Sequence, residues 1–301
     1  MATTTSTTVQ QLYADVVADL QAYYDDAVLL PNQAFILNSF DISGQSGSTV
    51  RVPLVNTFSD AVEVAEGASI IGTSGAQSNL SPTSANITMT KFGIGTDVSS
   101  EALEDGGIGV VRQNVLTRLS RGLAGAVDVK GFATMKAGIT QETGSATGAN
   151  AAFTEHFVCS PEMLGSASKR NPSVSMWYNP NKDATEMRGS VRHGFAVLRP
   201  EFGVKVTDRT DSFAAPTANL DNYLQAVALL NQANAPRLAD DTYIGFISPT
   251  EQYAISKQLS SVNDASIGSL SDIGNRALLS GLIGQAAGIT FFSSNNLPDA
   301  S

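Results

Sequence analysis

Ser166-Ala167-Ser168-Lys169 has the spacing at which a lysine can serve as base to a nucleophilic serine, the arrangement of some acyl-transfer enzymes. The Ser-Asp-Asn and Lys-Thr-Gly motifs that accompany it in those enzymes are absent, and a four-residue match arises readily by chance. Glu155, His156 and Cys159 stand close together, but a metal centre needs more ligands at suitable spacing, so the expected reading is a half-buried cysteine near a histidine. His193 lies among arginines, and cations close to an imidazole favour its neutral form. The chain has neither a Gly-x-Ser-x-Gly elbow nor a phosphate-binding glycine loop. Asn86-Ile87-Thr88 fits a glycosylation acceptor, which matters only in a secreted chain. The expectation is a protein that is not an enzyme, with no catalytic residues, no metal and no cofactor.

Composition reads as that of a soluble, intracellularly made protein. A chain of 301 residues can bury a sizeable core and holds one to three domains. With 18 basic and 28 acidic residues its net charge is −10, which does not suit a surface built to hold nucleic acid throughout. One cysteine excludes an internal disulfide and fits folding in a reducing cytoplasm. No apolar run reaches the ~18 residues of a membrane span, and MATTTSTTVQQ lacks the basic and apolar regions of a secretion signal.

The elements that could position these residues follow from periodicity. Val9, Leu12, Val16, Leu20 and Tyr23 recur at three- and four-residue spacing and predict an amphipathic helix over 9–27. Its single apolar stripe needs another surface, either its own domain or a neighbouring subunit. Val50, Val52 and Leu54 alternate with Arg51 and Pro53, and Ile87 and Met89 return after a small, polar, Gly-rich tip at 67–84. The parity of the return strand changes before Phe92 and Ile94, which predicts a bulge near Lys91. A two-stranded ribbon is marginal alone, so this one is expected to rest on something outside its own domain.

A long helix is predicted from about 110 to 136, with Val111, Val115, Leu119, Leu123 and Val127 as its stripe, widened by Leu116, Phe132 and Met135. It would span about 40 Å, a strut more than a piece of a compact globule. Residues 137–152 read as a linker. Residues 153–211 lean to strand and carry eight of the basic residues, with Phe195–Leu198 and Val204–Val206 punctuated by Arg199-Pro200-Glu201. After a second soft stretch, 212–219, a helix over Leu220–Ala233, a buried strand over 242–248, a helix over Pro249–Leu259, a loop over 260–276, a short apolar piece over 278–282 and a final strand over 288–293 follow.

Four stretches taken together resemble one family. ATEMRGSVRHGFAVLRPEFGVKV, a basic approach into a strand ending in Arg-Pro-Glu, resembles the last strand of the major capsid protein of tailed bacteriophages, the Hong Kong 97-type fold. VRVPLVNTFSDAVEVAEGASI resembles the first strand of that family's extended ribbon, GTDVSSEALED the entry to its peripheral domain, and GITFFSSNNLP the strand leaving its axial domain. The resemblance covers most of the chain. It departs in one respect: the segment like 153–206 comes last in the family and here precedes the helix at Leu220.

The resemblance implies an α+β chain of the Hong Kong 97-type capsid fold. Its parts would be an N-terminal arm (1–35), an E-loop ribbon and its base (36–96), a peripheral (P) domain with the spine helix (97–137), peripheral-domain closing strands in an unusual position or an insertion (138–215), and an axial (A) domain (216–301). It implies a major capsid protein that forms a homo-oligomer of hexamers and pentamers, closing an icosahedral head around double-stranded DNA without sequence-specific binding. The virion is then its location, the host bacterial cytoplasm its place of synthesis, and scaffolding, portal and possible cement proteins its partners, with no membrane. No cleavable segment is seen before residue 36, so scaffolding is expected from a separate chain. A nanocompartment shell resembling the encapsulins, or a monomeric enzyme or binding protein using 153–211, are the alternatives. Candidate contacts between subunits are Glu63 and Glu66 on the ribbon against Arg112, Arg118, Arg188, Arg192 and Arg199. Some shells of this fold weld neighbours through a ribbon lysine. Residues 52–90 contain no lysine and Lys91 lies only at the base, so no weld is expected.

Overall fold

A helix with one wide apolar stripe runs through the middle of the molecule and gives each of two sheets something to bury. The computed structural model describes residues 19–25, 27–30, 38–55, 63–66, 82–106, 108–144, 153–208, 220–261 and 285–300. The long helix spans Ile108–Gly138, two residues beyond the expected limits at each end. Leu116, Leu119, Leu123, Val127, Phe132 and Met135 are buried, as the spacing predicts, while Arg118, Arg121 and Lys130 stay exposed. A short helix, Ser100–Gly106, precedes it.

One sheet has four strands in the order β1-β7-β8-β4. Here β1 is Asn38–Asp41, β4 is Thr90–Ser99, β7 is Leu164–Asn179 and β8 is Ala184–Val197. β1 runs parallel to β7, and the other pairs are antiparallel. Side chains alternate across β8. Met187, Gly189, Val191 and Phe195 turn toward the long helix, where Met187 packs with Leu116 and Leu119. Arg188, Ser190, Arg192, Gly194 and Ala196 turn to the outer face.

The ribbon, β2 (Thr49–Val55) against β3 (Pro82–Thr88), rests part of its base on that outer face. Val52, Ile87 and Met89 form a small core with Ile42, Ala167 and Leu198. A side chain at Gly194 would collide with the Thr88 carbonyl, so glycine lets the ribbon lie down on the strand. The base of the ribbon thus rests outside the 36–96 segment, on Ala167, Ala196 and Leu198 of the 138–215 segment of the same chain. The expected parity break is not a bulge. At Met89, whose amide donates to the Ser48 carbonyl at 2.8 Å, the strand exchanges partner β2 for β8 and enters the sheet.

The second sheet has seven strands, in the order β11-β12-β10-β6-β9-β5 with β13 beside β6. Its members are β5 (Gln141–Gly144), β6 (Phe153–Cys159), β9 (Gly203–Asp208), β10 (Tyr243–Ile247), β11 (Gln285–Ala286), β12 (Ile289–Ser293) and β13 (Asp299–Ala300). Phe132 of the long helix packs on Phe157 and Phe246 from one face, with ring centroids 6.1 and 5.4 Å away. Helices Leu220–Gln232 and Pro249–Ser261 contribute to the other, where Tyr223 meets Phe291 at 5.4 Å. All five residues of β10 are buried, as expected of a strand covered on both faces. The linker expected over 137–152 contains a strand, β5. Its Glu142 and Gly144 are poor strand formers, and parallel pairing with β9 selects the conformation.

Residues 153–206 are woven into both sheets, with β7 and β8 in one and β6 and β9 in the other. Arg199-Pro200-Glu201 carries the chain across. A 3-10 turn over Pro200–Phe202 follows β8, buries Phe202 and delivers Gly203 to β9. The first described part of the arm, residues 19–30, packs on its own chain through Leu20, Tyr24 and Leu30, which are buried. Tyr24, not Tyr23, completes the stripe, because it lies one turn from Leu20. The Tyr23 hydroxyl instead accepts a bond from Gln113 Nε2 at 3.2 Å. The expected helix over 9–18, the ribbon tip at 67–81, the apolar piece at 278–282 and all but the start of the 260–276 loop lie outside the described residues.

Candidate functional site

The sequence motifs with catalytic potential are taken apart by the fold. Ser166 is fully buried, with its hydroxyl 3.4 Å from that of Ser39. The Lys169 ammonium, in a bulged part of β7, contacts the Gly47 carbonyl at the base of the ribbon. On β6 the alternation puts Glu155 and Cys159 on one face and His156 on the other. Glu155 pairs with Lys136 of the long helix at 3.4 Å. Cys159 is buried, not half-buried, and burial pushes its thiol up to about 12, so it stays a protonated thiol at neutral pH.

Sequence reasoning missed two buried polar centres. His156 is fully buried, and burial pushes its pKa down to about 3, which keeps it neutral. Its Nδ1 accepts from the Ser248 amide at 3.4 Å, and its Nε2 lies 3.9 Å from Oε2 of Glu251. Glu251 is also fully buried and accepts from the Tyr223 hydroxyl at 3.2 Å. Serine, histidine and carboxylate thus meet here. The histidine, however, engages the Ser248 backbone, while the hydroxyl accepts from the Glu251 amide at 3.2 Å, and the group is sealed from solvent. It ties the helix Pro249–Ser261 to the sheet. No sequence spacing announces it, because its members come from β6 and two helices.

The second centre is Asp128, which is 1 % exposed in the middle of the long helix. Oδ1 accepts the Leu30 amide at 3.0 Å, and Oδ2 the Leu29 amide at 3.1 Å. Burial raises its pKa to about 6, against the lowering effect of those bonds and of the Asn296 side chain. This carboxylate latches the arm to the helix. A sequence signal existed: Asp128 is the only acidic residue in the 31-residue helix.

His193 is neutral, as the sequence suggested, but for another reason. Burial lowers its pKa to about 4, and by alternation the neighbouring arginines point to the opposite face.

The candidate contact residues divide between two sides of the molecule. Arg188 and Arg192 share the outer face of the four-stranded sheet, beside the ribbon base. Arg118 is exposed on the long helix, beyond the other face. The backbone of Arg112 belongs to the same helix, and its side chain lies outside the described residues. Arg199 sits at the crossing turn, 3.7 Å from Glu201 and over the Phe202 ring at 5.3 Å, so its charge is partly spent within the chain. Glu63 and Glu66 are exposed on the ribbon beyond β2.

Cross-strand register adds residues that the sequence did not single out. Lys91 on β4 and Arg170 on β7 lie directly opposite Arg192 from either side. Gly93 and Ser173 flank Ser190, and Gly95 and Ser175 flank Arg188. Trp177 is 38 % exposed, with the Arg188 guanidinium 5.2 Å from its ring centre. The next acidic pair, Asp97 and Glu186, is already engaged by Lys182 at 2.8 and 3.4 Å. This arrangement can bind an anion.

No protein-family model matches the sequence, and no curated protein matches it. Solved structures do. The capsid of bacteriophage JBD30 superposes with a TM-score of 0.58 at 12 % identity, over 88 % of this chain and 90 % of that one. The chain has the fold of a bacteriophage capsid protein. The procapsid of the same phage superposes with a TM-score of 0.56 at 14 % identity, over 98 % of this chain and all of that one. The α+β architecture expected from the sequence is thereby established across nearly the whole length.

Proposed function

We propose that this protein is the major capsid protein of a tailed bacteriophage, assembling into the hexamers and pentamers of an icosahedral head around double-stranded DNA. The single observation that carries this reading is a fold shared with a phage capsid and its procapsid over most of each chain. In that reading residues 1–35 are the arm, 36–96 the ribbon and its base, 97–137 and 138–215 the peripheral domain, and 216–301 the axial domain. Copies meet around the capsomer axis through the last of these, and the ribbon extends over a neighbour. Glu63 and Glu66 then face arginines across a subunit boundary. The head would be assembled in a bacterial cytoplasm with scaffolding and portal proteins, and no covalent weld would form.

The outer sheet face, with its exposed cations and partly exposed tryptophan, suits a contact surface. Electron microscopy of the purified protein tests the proposal. Closed shells that copurify with nucleic acid support it. Closed shells that copurify with a protein cargo favour a nanocompartment, and a stable monomer of ~31 kDa refutes both. A ladder of oligomers on a boiled denaturing gel would contradict the absence of a weld.

A further inference from the structure

We propose that the outer face of the four-stranded sheet, centred on Lys91, Arg170, Arg188 and Arg192, is the seat for the acidic shoulder of the ribbon, Glu63 and Glu66, of a second copy of this chain. The inference rests on the shell reading and narrows it, since it selects this face over Arg112, Arg118 and Arg199.

The argument begins with a cost. Lys91, Arg192 and Arg170 occupy one row across three adjacent strands, about 5 Å apart from strand to strand. Like charges directly opposite one another destabilise a sheet. Among the described residues none of these three, nor Arg188, has a carboxylate within ion-pair distance, although the chain carries ten more negative than positive charges. The Arg192 Nε is buried and has no hydrogen-bond partner among the described residues. The nearest acids, Asp97 and Glu186, are held by Lys182, and Glu186 also accepts from Asn179 at 2.7 Å. A face with this much uncompensated positive charge is completed by an anion from outside the chain.

Shape and spacing choose the anion. Gly93, Gly95, Ser173, Ser175 and Ser190 leave the strip between the cations low, so a backbone can approach closely. Arg188 and Arg192 are four residues apart on one strand, about 13 Å, and their side chains can converge. Glu63 and Glu66, three residues apart, span at most about 10 Å. Both are exposed, and no ion pair within the described chain holds either. Two carboxylates at that reach meet two guanidiniums, each able to bind bidentately. A net charge of −10 speaks against a general hold on phosphate polymers and for a contact between copies.

The test is a charge swap in the full chain. The double variant R188E/R192E should lose at least about tenfold in assembled fraction, as like charges then face each other across the contact. Its thermal melt should stay two-state, and the milder Arg188→Gln should weaken assembly in the same direction. Adding E63R/E66R to R188E/R192E should restore particles. Trp177, the single tryptophan, sits on the seat and provides a second readout. Its emission should shift on assembly of the wild-type chain and of the swapped chain, but not in R188E/R192E. Wild-type particles with both variants assembling normally, or a swap that restores nothing, would overturn the seat while leaving the shell reading intact. So would R188E/R192E particles that form normally but lose copurifying nucleic acid, since the face would then serve phosphate. A wild-type chain that never assembles and a Trp177 emission indifferent to protein concentration would overturn both.

Discussion

The two sheets solve the same burial problem to different degrees. The seven-stranded sheet is covered on both faces, by the long helix on one and helices Leu220–Gln232 and Pro249–Ser261 on the other, and His156 and Glu251 are held between sheet and helices. The four-stranded sheet is covered on one face by the long helix and the arm. Among the described residues its other face is covered only where the ribbon base lies down, and the remainder carries cations without an ion pair and a partly exposed tryptophan. On the proposed assembly, the first region holds the chain together and the second meets another copy. Substitutions should therefore separate stability from assembly according to the sheet they strike.

The largest effect is expected in the enclosed region. Phe157→Ala removes a fully buried ring at the junction of sheet and long helix and should cost about 3–5 kcal/mol in denaturant unfolding, taking assembly with it. A loss under ~1 kcal/mol would mean that the two-faced core is not the main source of stability.

Acidification comes next and touches both regions. His156 and His193 have pKa values depressed by burial, so each adds stability above pH 6.5 that is lost as pH falls toward about 3 and about 4. For His193 alone the loss between pH 6.5 and 4 is roughly 3 kcal/mol. Asp128 works in the opposite sense. Its raised pKa means the docked arm gains stability as pH falls through about 6 toward the ordinary carboxylate range. Urea unfolding of the whole chain should thus weaken in acid, while hydrogen exchange at the Leu29 and Leu30 amides, corrected for its intrinsic pH dependence, should slow relative to Asp128→Asn between pH 7 and 5.

At neutral pH, Asp128→Ala leaves the buried Leu30 amide and the half-buried Leu29 amide without this acceptor and should cost about 1–3 kcal/mol, with arm amides exchanging first. The smallest stability effect belongs to the open face. Arg188→Gln should shift unfolding by less than about 0.5 kcal/mol yet impair particle formation. An arginine there that proved as costly to the monomer as Phe157 would erase the distinction between the sheets.

Much of this plan was legible in the residues. The spacing from Leu116 to Met135 marked the buried face of the long helix, and the strands at 195–206, 243–247 and 289–293 announced themselves by apolar and β-branched composition. What escaped depends on pairing between distant segments. β5 is strand only because β9 lies beside it, and the break at Met89 changes partner without changing conformation. For the candidate site, Arg188 and Arg192 could be named from composition, but Lys91 and Arg170 could not. They join the row only through register across three strands, with a bulge in β7 setting the last alignment. Asp128 was visible as a lone acid, yet its role required knowing where the arm comes down.

Sedimentation velocity of the purified wild-type chain, with electron microscopy of the fastest fraction, probes the main point most directly: one sheet face is left for a second copy to complete. Closed particles many times heavier than a single subunit are the predicted result. A compact monomer that stays monomeric as concentration rises would contradict it.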